Sequence, residues 1–149
     1  MNFSKTTEYA LRILSYMATG EKSLYSTKDI FEKLNIPFRY LRKQMTVLSK
    51  SGIISSVQGK QGGYKISKKL EEISFLDIII AAGERPFQNE CFFGFQKCVL
   101  HTKCAFHKKW AMMKESILNV LSTTSLADLK ESGPLQFISN NNLMLTKNS

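Results

Sequence analysis

The sequence predicts a mainly helical chain with one small β-hairpin and a long helix near its C-terminus. Three observations favour this class. Apolar residues recur at helical spacing through most of the chain, two short β-type runs flank one glycine-rich stretch, and an apolar pattern continues over several helical turns after the last cysteine. We expect a helical domain with the hairpin at 1–83, a cysteine-bearing loop at 84–104, a long and a short helix at 105–132, and a disordered tail at 133–149.

The composition is that of one globular domain with an appended arm, since the chain has 149 residues of which 43% are hydrophobic. No apolar run approaches the roughly 18 residues that span a bilayer. The N-terminus also lacks the basic and then apolar layout of a signal peptide. We therefore expect a cytoplasmic protein with no membrane partner. Because no paired carboxylates and no nucleophile–base set stand out, we expect neither an enzyme nor a small-molecule substrate.

Serine residues mark the predicted starts of the first helices, because a serine side chain can accept a hydrogen bond from a free N–H group of a helix N-terminus. Ser4 begins a helix that runs to about Thr19 and stops at Gly20. Ser26 begins a second, shorter helix that ends at residues 35–36.

A third helix follows Pro37 and has a basic outer face. Leu41, Met45 and Leu48 recur at i, i+4 and i+7 and are expected to face inward. Two helices joined by a short turn form a helix-turn-helix, whose second helix can enter the major groove of DNA. The predicted DNA-contacting residues of this helix are Arg39, Tyr40, Arg42, Lys43 and Gln44.

The glycine-rich stretch Gly59–Gly63 predicts a hairpin, since it lies between the β-type runs Ile53–Val57 and Tyr64–Ser67. A hairpin after a helix-turn-helix completes the winged-helix order of elements. The tip is a candidate wing for the phosphate backbone or the minor groove. Its predicted contacting residues are Gln58, Lys60 and Gln61.

The positive charge is concentrated in one block. The formal net charge is +9, and the segment from Phe38 to Lys69 contains eight basic residues and no Asp or Glu. This block is a candidate footprint for a polyanion. A solvated basic face without a partner is the alternative.

All cysteines lie in one stretch, as Cys91, Cys98 and Cys104, and His107 follows the last of them at i+3. Thiolates and imidazole suit iron–sulfur clusters and zinc, and the Cys/His pair shares one helix face. A structural disulfide is a poor explanation, because the count is odd and nothing indicates an oxidising compartment. The pattern predicts a bound cluster or metal, with unrelated free thiols as the alternative.

The loop that holds these cysteines is about 20 residues long without a clear period, whereas ordinary connections have about 4–6 residues. Such a loop needs an additional reason to be ordered. Four phenylalanines in or beside it could shield a cluster from water, namely Phe87, Phe92, Phe93 and Phe95.

The long helix after Cys104 has a heptad-type apolar seam. Its apolar residues are spaced 4, 3, 4 and 3 apart, starting at Phe106. A helix that follows the wing has little else to pack against, so we expect a homodimer interface. Ser74 and Ser125 begin the short helices before and after it. The predicted interface residues are Trp110, Met113, Ile117 and Val120.

Several motifs then occur together within residues 1–132. They are Glu8-Tyr9-Ala10-Leu11-Arg12, Ile36-Pro37 with Tyr40-Leu41, Gly52-Ile53, Ser56-Val57 with Gly59 and Gly62-Gly63-Tyr64, the three cysteines, and Ser125-Leu126-Ala127-Asp128-Leu129. In this combination the sequence resembles the Rrf2 family of bacterial winged-helix regulators. The resemblance implies a homodimeric transcription factor, often a repressor, that binds double-stranded DNA at a palindromic operator. It also implies a 2Fe–2S or 4Fe–4S cluster near the dimer helix.

The resemblance leaves two candidates for the fourth cluster ligand. Cys104 with His107 is similar to the iron–sulfur assembly branch, in which the matching histidine completes a three-Cys, one-His site. Glu8 with Tyr9 is similar to the nitric-oxide or redox branch, in which an acid from the partner subunit is a ligand. Glu8 has another sufficient explanation, because an acid in the first helical turn complements the helix dipole. We favour His107, whose spacing from Cys104 is local.

Two departures limit what the resemblance implies. The first cysteine spacing is one residue longer than in the assembly branch, which leaves the cluster type open. Arg42 stands where that branch has an acid that reads bases, so its operators are not transferred.

The resulting hypothesis is a regulator whose affinity for DNA changes when the cluster is lost, oxidised or nitrosylated. A cluster-free thiol sensor and a winged helix with structural zinc are the alternatives. An electron-transfer protein is a remote alternative that would leave the basic winged helix unexplained.

Overall fold

The computed structural model describes residues 3–87, 91–95, 100 and 103–132. The predicted class, mainly helical with one two-stranded hairpin, is confirmed. The elements in chain order are α1 (Lys5–Thr19), α2 (Thr27–Leu34), α3 (Phe38–Lys50), β1 (Ile54–Val57), β2 (Gly63–Ile66), a 3-10 turn (Leu70–Glu72), α4 (Phe75–Ala81), α5 (His107–Thr123) and α6 (Leu126–Glu131). Within the described ranges, no helix combines the length and apolar character needed to cross a membrane. The predicted disordered tail lies outside the described residues.

The predicted serine caps define four of the helix starts. Ser4 accepts a hydrogen bond from the N–H of Thr7 at the start of α1, and Gly20 ends that helix. Ser26 and Asp29 form a capping box, in which each side chain accepts a hydrogen bond from the other residue's backbone N–H, at 3.0 and 2.8 Å. The same arrangement begins α4 at Ser74 and α6 at Ser125. These local bonds satisfy N–H groups that a helix leaves free.

The hairpin is antiparallel, with Ile54 opposite Ile66 and Val57 opposite Gly63. Each strand is shifted by about one residue from its predicted range. Tyr25 extends the sheet, because it exchanges backbone hydrogen bonds with Tyr64 of β2 at 2.9 and 2.8 Å. The turn between α1 and α2 is thereby attached to the wing.

The core is built around α1, which contacts α2, α3, α4, α6 and β2. Ala10, Ile13 and Leu14 of α1 are fully buried, and so are the predicted inward residues Leu41 and Leu48 of α3. Met45, the third of those residues, is 1% exposed. The apolar stripe of α3 therefore holds this helix against α1.

The starts of α4 and α6 lie side by side. The N–H of Phe75 donates to the carbonyl of Thr124, and the N–H of Leu126 donates to the carbonyl of Ile73, both at 3.0 Å. Leu126 is fully buried in the core. The chain therefore returns to the winged-helix core after α5, whose own contacts are mainly with α4.

Candidate DNA interface and cysteine-lined cavity

The outer face of α3 presents four of its predicted DNA-contacting residues to solvent. Arg39, Tyr40, Arg42 and Lys43 are all exposed. Tyr40 is 53% exposed and packs against Tyr9 of α1, with ring centroids 6.1 Å apart. Helix α3 has no acidic residue in its first turn. In the described part of the chain, none of the three cations forms an ion pair. Their charges are available to an external anion.

Gln44 corrects one expectation about this helix. Its side chain is 1% exposed, so it cannot contact DNA in this structure. Its Oε1 atom is buried without a hydrogen-bond partner among the described residues. The helical period explains the burial, because Gln44 lies at i+3 from Leu41 and at i−4 from Leu48 on the inward stripe.

The wing tip is exposed where the sequence predicted contacts. Gln58, Lys60 and Gln61 are all exposed. Gly59 adopts a φ of 120°, which disfavours any residue with a side chain. The N–H of Gly62 closes the turn by donating to the carbonyl of Gly59 at 3.0 Å. The tip conformation therefore depends on glycine, and it projects the polar side chains beside it.

The basic block of the sequence is distributed over several elements. Arg39, Arg42, Lys43 and Lys50 belong to α3, and Lys60 belongs to the wing tip. Lys65, Lys68 and Lys69 line a surface cavity with Lys22 and Lys130, and none of the predicted DNA-contacting residues lines it. A single footprint for the whole block stays a prediction.

The two described cysteines lie around one small cavity. Cys91 and Cys104 are half-buried free thiols. They line the cavity together with His107, the first residue of α5. The N–H of His107 donates to the carbonyl of Cys104 at 3.1 Å, which makes their predicted i, i+3 pairing a helical turn. Cys98 lies outside the described residues.

Aromatic rings form the rest of this cavity wall. Phe92 is central, because its ring contacts Phe93, Phe106 and Trp110 at centroid distances of 5.6, 4.7 and 5.1 Å. Phe87 also contacts Trp110, with ring centroids 5.9 Å apart. Phe87 has a φ of 61°, which a large side chain rarely adopts. Of the four predicted shielding phenylalanines, Phe92 and Phe93 line the cavity, with 54% and 67% of their own surface exposed, whereas Phe87 and Phe95 do not line it.

The donor set of the cavity has the chemistry of a soft-metal or cluster site, since two thiols and an imidazole line it. Trp110 Nε1 is buried and has no hydrogen-bond partner among the described residues. An anionic group in the cavity would offer such a donor an acceptor. The described residues contain no group of three Cys, His, Asp or Glu side chains close enough to hold a metal ion. The cavity itself is about 10 Å³, so a cluster would require the aromatic wall to open.

Glu8, the alternative fourth ligand, is occupied by cations of its own helix. Its carboxylate lies 2.7 Å from Lys5 Nζ and 3.7 Å from Arg12 Nη2. It does not line the cavity formed by Cys91, Cys104 and His107 in the same chain.

Glu84 is a functional candidate that the sequence pattern did not indicate. Its carboxylate accepts a hydrogen bond of 2.6 Å from the backbone N–H of Ser4. Partial burial alone would raise the pKa of Glu84, but the hydrogen bonds from Ser4 and Thr7 together lower this pKa. The start of the cysteine loop is thereby attached to the N-terminus of α1. The two residues are far apart in sequence, so only the fold reveals the contact.

The predicted dimer residues lie on an exposed helix. No residue of α5 is buried, and Met113 and Val120 are 51% and 60% exposed. Ile117 and Trp110 are half-buried. The ring of Trp110 packs against Phe92, which follows Cys91. Helix α4 and Phe92 cover part of the apolar face of α5, and Met113 and Val120 lie on the part that the described residues leave exposed.

A winged helix with an exposed cationic recognition helix and wing tip is the structure of a DNA-binding regulator. Residues 3–132 match the Rrf2 family, described as iron-dependent transcriptional regulators, and the chain belongs to this family. It is a transcriptional regulator and not an enzyme.

Named relatives and solved structures agree with this assignment. The HTH-type transcriptional regulator NsrR of Geobacillus kaustophilus is 32% identical over 133 residues, covering 88% of this chain and 90% of the relative. The structure of T. potens IscR is similar with a TM-score of 0.67 and 28% identity, over 89% of this chain and 88% of that one. Staphylococcus aureus CymR gives a TM-score of 0.68 and 30% identity, over 86% and 97% of the two chains.

Proposed function

We propose that this Rrf2-family regulator is a homodimeric repressor whose affinity for a palindromic operator is controlled by an iron–sulfur cluster. Cys91, Cys98, Cys104 and His107 would hold the cluster. The observation that carries the proposal is that Cys91, Cys104 and His107 line one cavity together with aromatic rings. When bound, a cluster would supply a redox-sensitive and nitric-oxide-sensitive group that ties these residues together.

The contacts within the protein suggest how a change in the cysteine segment, residues 84–107, could alter DNA binding. The segment begins at Glu84, which holds the N-terminus of α1, and it ends at His107, where α5 begins. Helix α1 contacts the recognition helix through Tyr9 and Tyr40. Ordering the segment would therefore restrain both α1 and α5. The separation of two recognition helices in a dimer would respond, and with it the affinity for successive major-groove faces.

His107 is favoured over Glu8 as the fourth ligand. Of the two candidates, only His107 lines the cavity with the thiols of its own chain. Glu8 would first have to leave Lys5 and Arg12. Glu8 from a partner subunit remains the competing assignment, which the experiment below distinguishes.

A cluster-free thiol regulator is the second candidate. Cys91 and Cys104 are free thiols at one cavity, and a solved structure with 28% identity is described as the oxidized form of Staphylococcus aureus CymR. In this alternative, oxidation of the thiols would change the same segment. Structural zinc on the same ligands is a further alternative, in which DNA binding would be constitutive.

The test is an absorption spectrum of anaerobically purified protein, with iron and acid-labile sulfide measured on the same sample. We expect visible bands with stoichiometric iron and sulfide. A colourless protein that holds zinc, or that holds no metal after anaerobic reconstitution, would contradict the cluster. DNA binding would then be compared between loaded and cluster-free protein, and an identical affinity would refute the control of binding.

The ligand assignment has a matched control, because the chain has two histidines. We expect His107→Ala to lose the cluster much faster in air than the unaltered protein, and His101→Ala to retain it. Glu8→Gln should leave the visible spectrum unchanged. A spectrum that changes in Glu8→Gln and not in His107→Ala would assign the fourth ligand to the acid.

A further inference from the structure

A second group of basic residues lines a cavity that contains none of the predicted DNA-contacting residues. A cavity of about 360 Å³ opens between the end of α1, the turn before α2, the end of β2 and α6. No residue of α3 and no residue of the wing tip at 58–62 lines it. Five lysines surround it, namely Lys22, Lys65, Lys68, Lys69 and Lys130.

The lining of this cavity carries an excess of positive charge. Among the described residues, no Asp or Glu lines it. Lys22 is held by Asp29 at 2.8 Å, but the other four lysines form no ion pair within the described ranges. Ammonium groups gathered around one concave surface repel one another and produce a positive potential, which a bound anion would relieve.

The floor of the cavity is apolar. Met17 and Tyr25 are 5% and 2% exposed, and Ile66 and Leu70 are half-buried beside them. The volume lies near the lower end of the roughly 300–1,000 Å³ that is usual for small-molecule sites, and the lining combines apolar with charged side chains. Lysine binds phosphate as a point charge without requiring a planar partner.

We propose that this cavity binds a small phosphorylated molecule that also has an apolar or aromatic part, of the class of a nucleoside diphosphate. The phosphates would lie among Lys65, Lys68, Lys69 and Lys130, and the apolar part would lie on Met17, Ile66 and Leu70. The site is independent of the cysteine cavity, so its existence does not depend on the cluster.

Isothermal titration of the full chain with ADP, pyrophosphate and adenosine at physiological ionic strength tests the proposal. We expect ADP to bind at one site per chain, pyrophosphate to bind more weakly, and adenosine to give no detectable heat. No binding of ADP at millimolar concentration would overturn the site. Equal affinities for ADP and pyrophosphate would overturn the role of the apolar floor.

A charge-matched pair of variants separates this site from general attraction to a basic protein. We expect Lys68→Gln with Lys130→Gln to weaken ADP binding by about tenfold or more, since hydrogen bonds to charged groups are among the strong ones. Lys33→Gln with Lys109→Gln removes the same charge from exposed positions outside the cavity and should change ADP binding less than about twofold. Equal weakening in both pairs would overturn the proposal.

A measurement on the unaltered chain guards against a folding defect in the variants. Chemical shift changes on adding ADP should appear at Ala18, Ile66 and Leu70. Changes confined to α3 and the wing tip would show that ADP occupies the DNA surface instead and would overturn the proposal.

Discussion

At the scale of single residues, Gln44 separates the inner and outer faces of the recognition helix. Its amide type suggested contact with bases, yet its position on the stripe of Leu41 and Leu48 buries it. Its Oε1 atom has no partner among the described residues, and an unpaired buried acceptor costs stability. The residue is therefore a packing element and not a DNA contact.

Replacing this amide by an apolar side chain of similar length tests that assignment. We expect Gln44→Met to leave operator affinity within about twofold and to raise the free energy of unfolding by between zero and about 1 kcal/mol, because no hydrogen bond at Oε1 is lost. Fluorescence anisotropy with operator DNA and urea denaturation measure the two quantities. Arg42→Met, on the exposed face, should weaken DNA binding strongly, and an equal loss in Gln44→Met would refute the assignment.

The error at Gln44 shows what limits prediction for one residue. The period of Leu41, Met45 and Leu48 was correct and already places residue 44 on the inward side. Residue type and period disagreed at this position, and the burial of Gln44 follows the period. Glu84 shows the opposite limit, because no local pattern predicts its contact with Ser4.

At the scale of elements, the helices were predictable because residues close together in the sequence determine where each helix begins. The Ser26–Asp29, Ser74–Asp77 and Ser125–Asp128 pairs each form a capping box within four consecutive residues. Asp29 has the largest additional support, since Lys22 lies 2.8 Å from its carboxylate. The hydrogen bond from Lys22, followed by those from Ser26, lowers the pKa of Asp29 from 3.8 to about 2.

The pKa of Asp29 predicts how its contribution depends on pH. Because its pKa is lower in the folded state, the stabilisation is fully present above about 3.8 and is lost as the pH falls towards about 2. We expect Asp29→Ala to lower the free energy of unfolding by about 0.5–2 kcal/mol at pH 7, the usual cost of losing helix N-terminal capping. The difference from the unaltered protein should shrink as the pH falls below 4.

Glu32→Ala provides the control on the same helix. Glu32 is a 63% exposed acid whose ion pair with Lys28 spans 3.8 Å, so we expect a change below about 0.5 kcal/mol at every pH. Urea denaturation between pH 7 and pH 3 measures both variants. An Asp29→Ala effect that stays constant over this range would show that the carboxylate charge is not the cause.

At the scale of the whole molecule, prediction from sequence was weakest where distant segments meet. The order of helices and hairpin defined the fold class, whereas the cluster ligands Cys91, Cys98, Cys104 and His107 stay a prediction. The lysine cavity combines residues of α1, β2 and α6, and three lysines of the basic block line it, whereas those of α3 and the wing tip do not. Such surfaces depend on long-range packing, which periodicity and caps do not encode.

The division of the basic block makes a quantitative prediction for DNA binding. If Arg39, Arg42, Lys43 and Lys60 of each protomer each neutralise one phosphate, a dimer makes about eight phosphate contacts. The logarithm of the binding constant should then fall with the logarithm of salt concentration at a slope near −7. Replacing Lys43 and Lys60 with alanine should leave a slope of about −4, because four contacts remain.

A double variant in the lysine cavity is the control for this salt dependence. Lys68→Gln with Lys130→Gln removes as many charges per protomer from a surface that shares no residue with α3 or the wing tip. We expect its slope to stay near −7, since direct phosphate contacts and not net charge set the number of released counterions. Anisotropy titrations of operator DNA over a range of salt concentrations measure all three slopes. If the cavity variant lowers the slope as much as the Lys43 and Lys60 variant, DNA extends across both basic surfaces and the division into two sites is wrong.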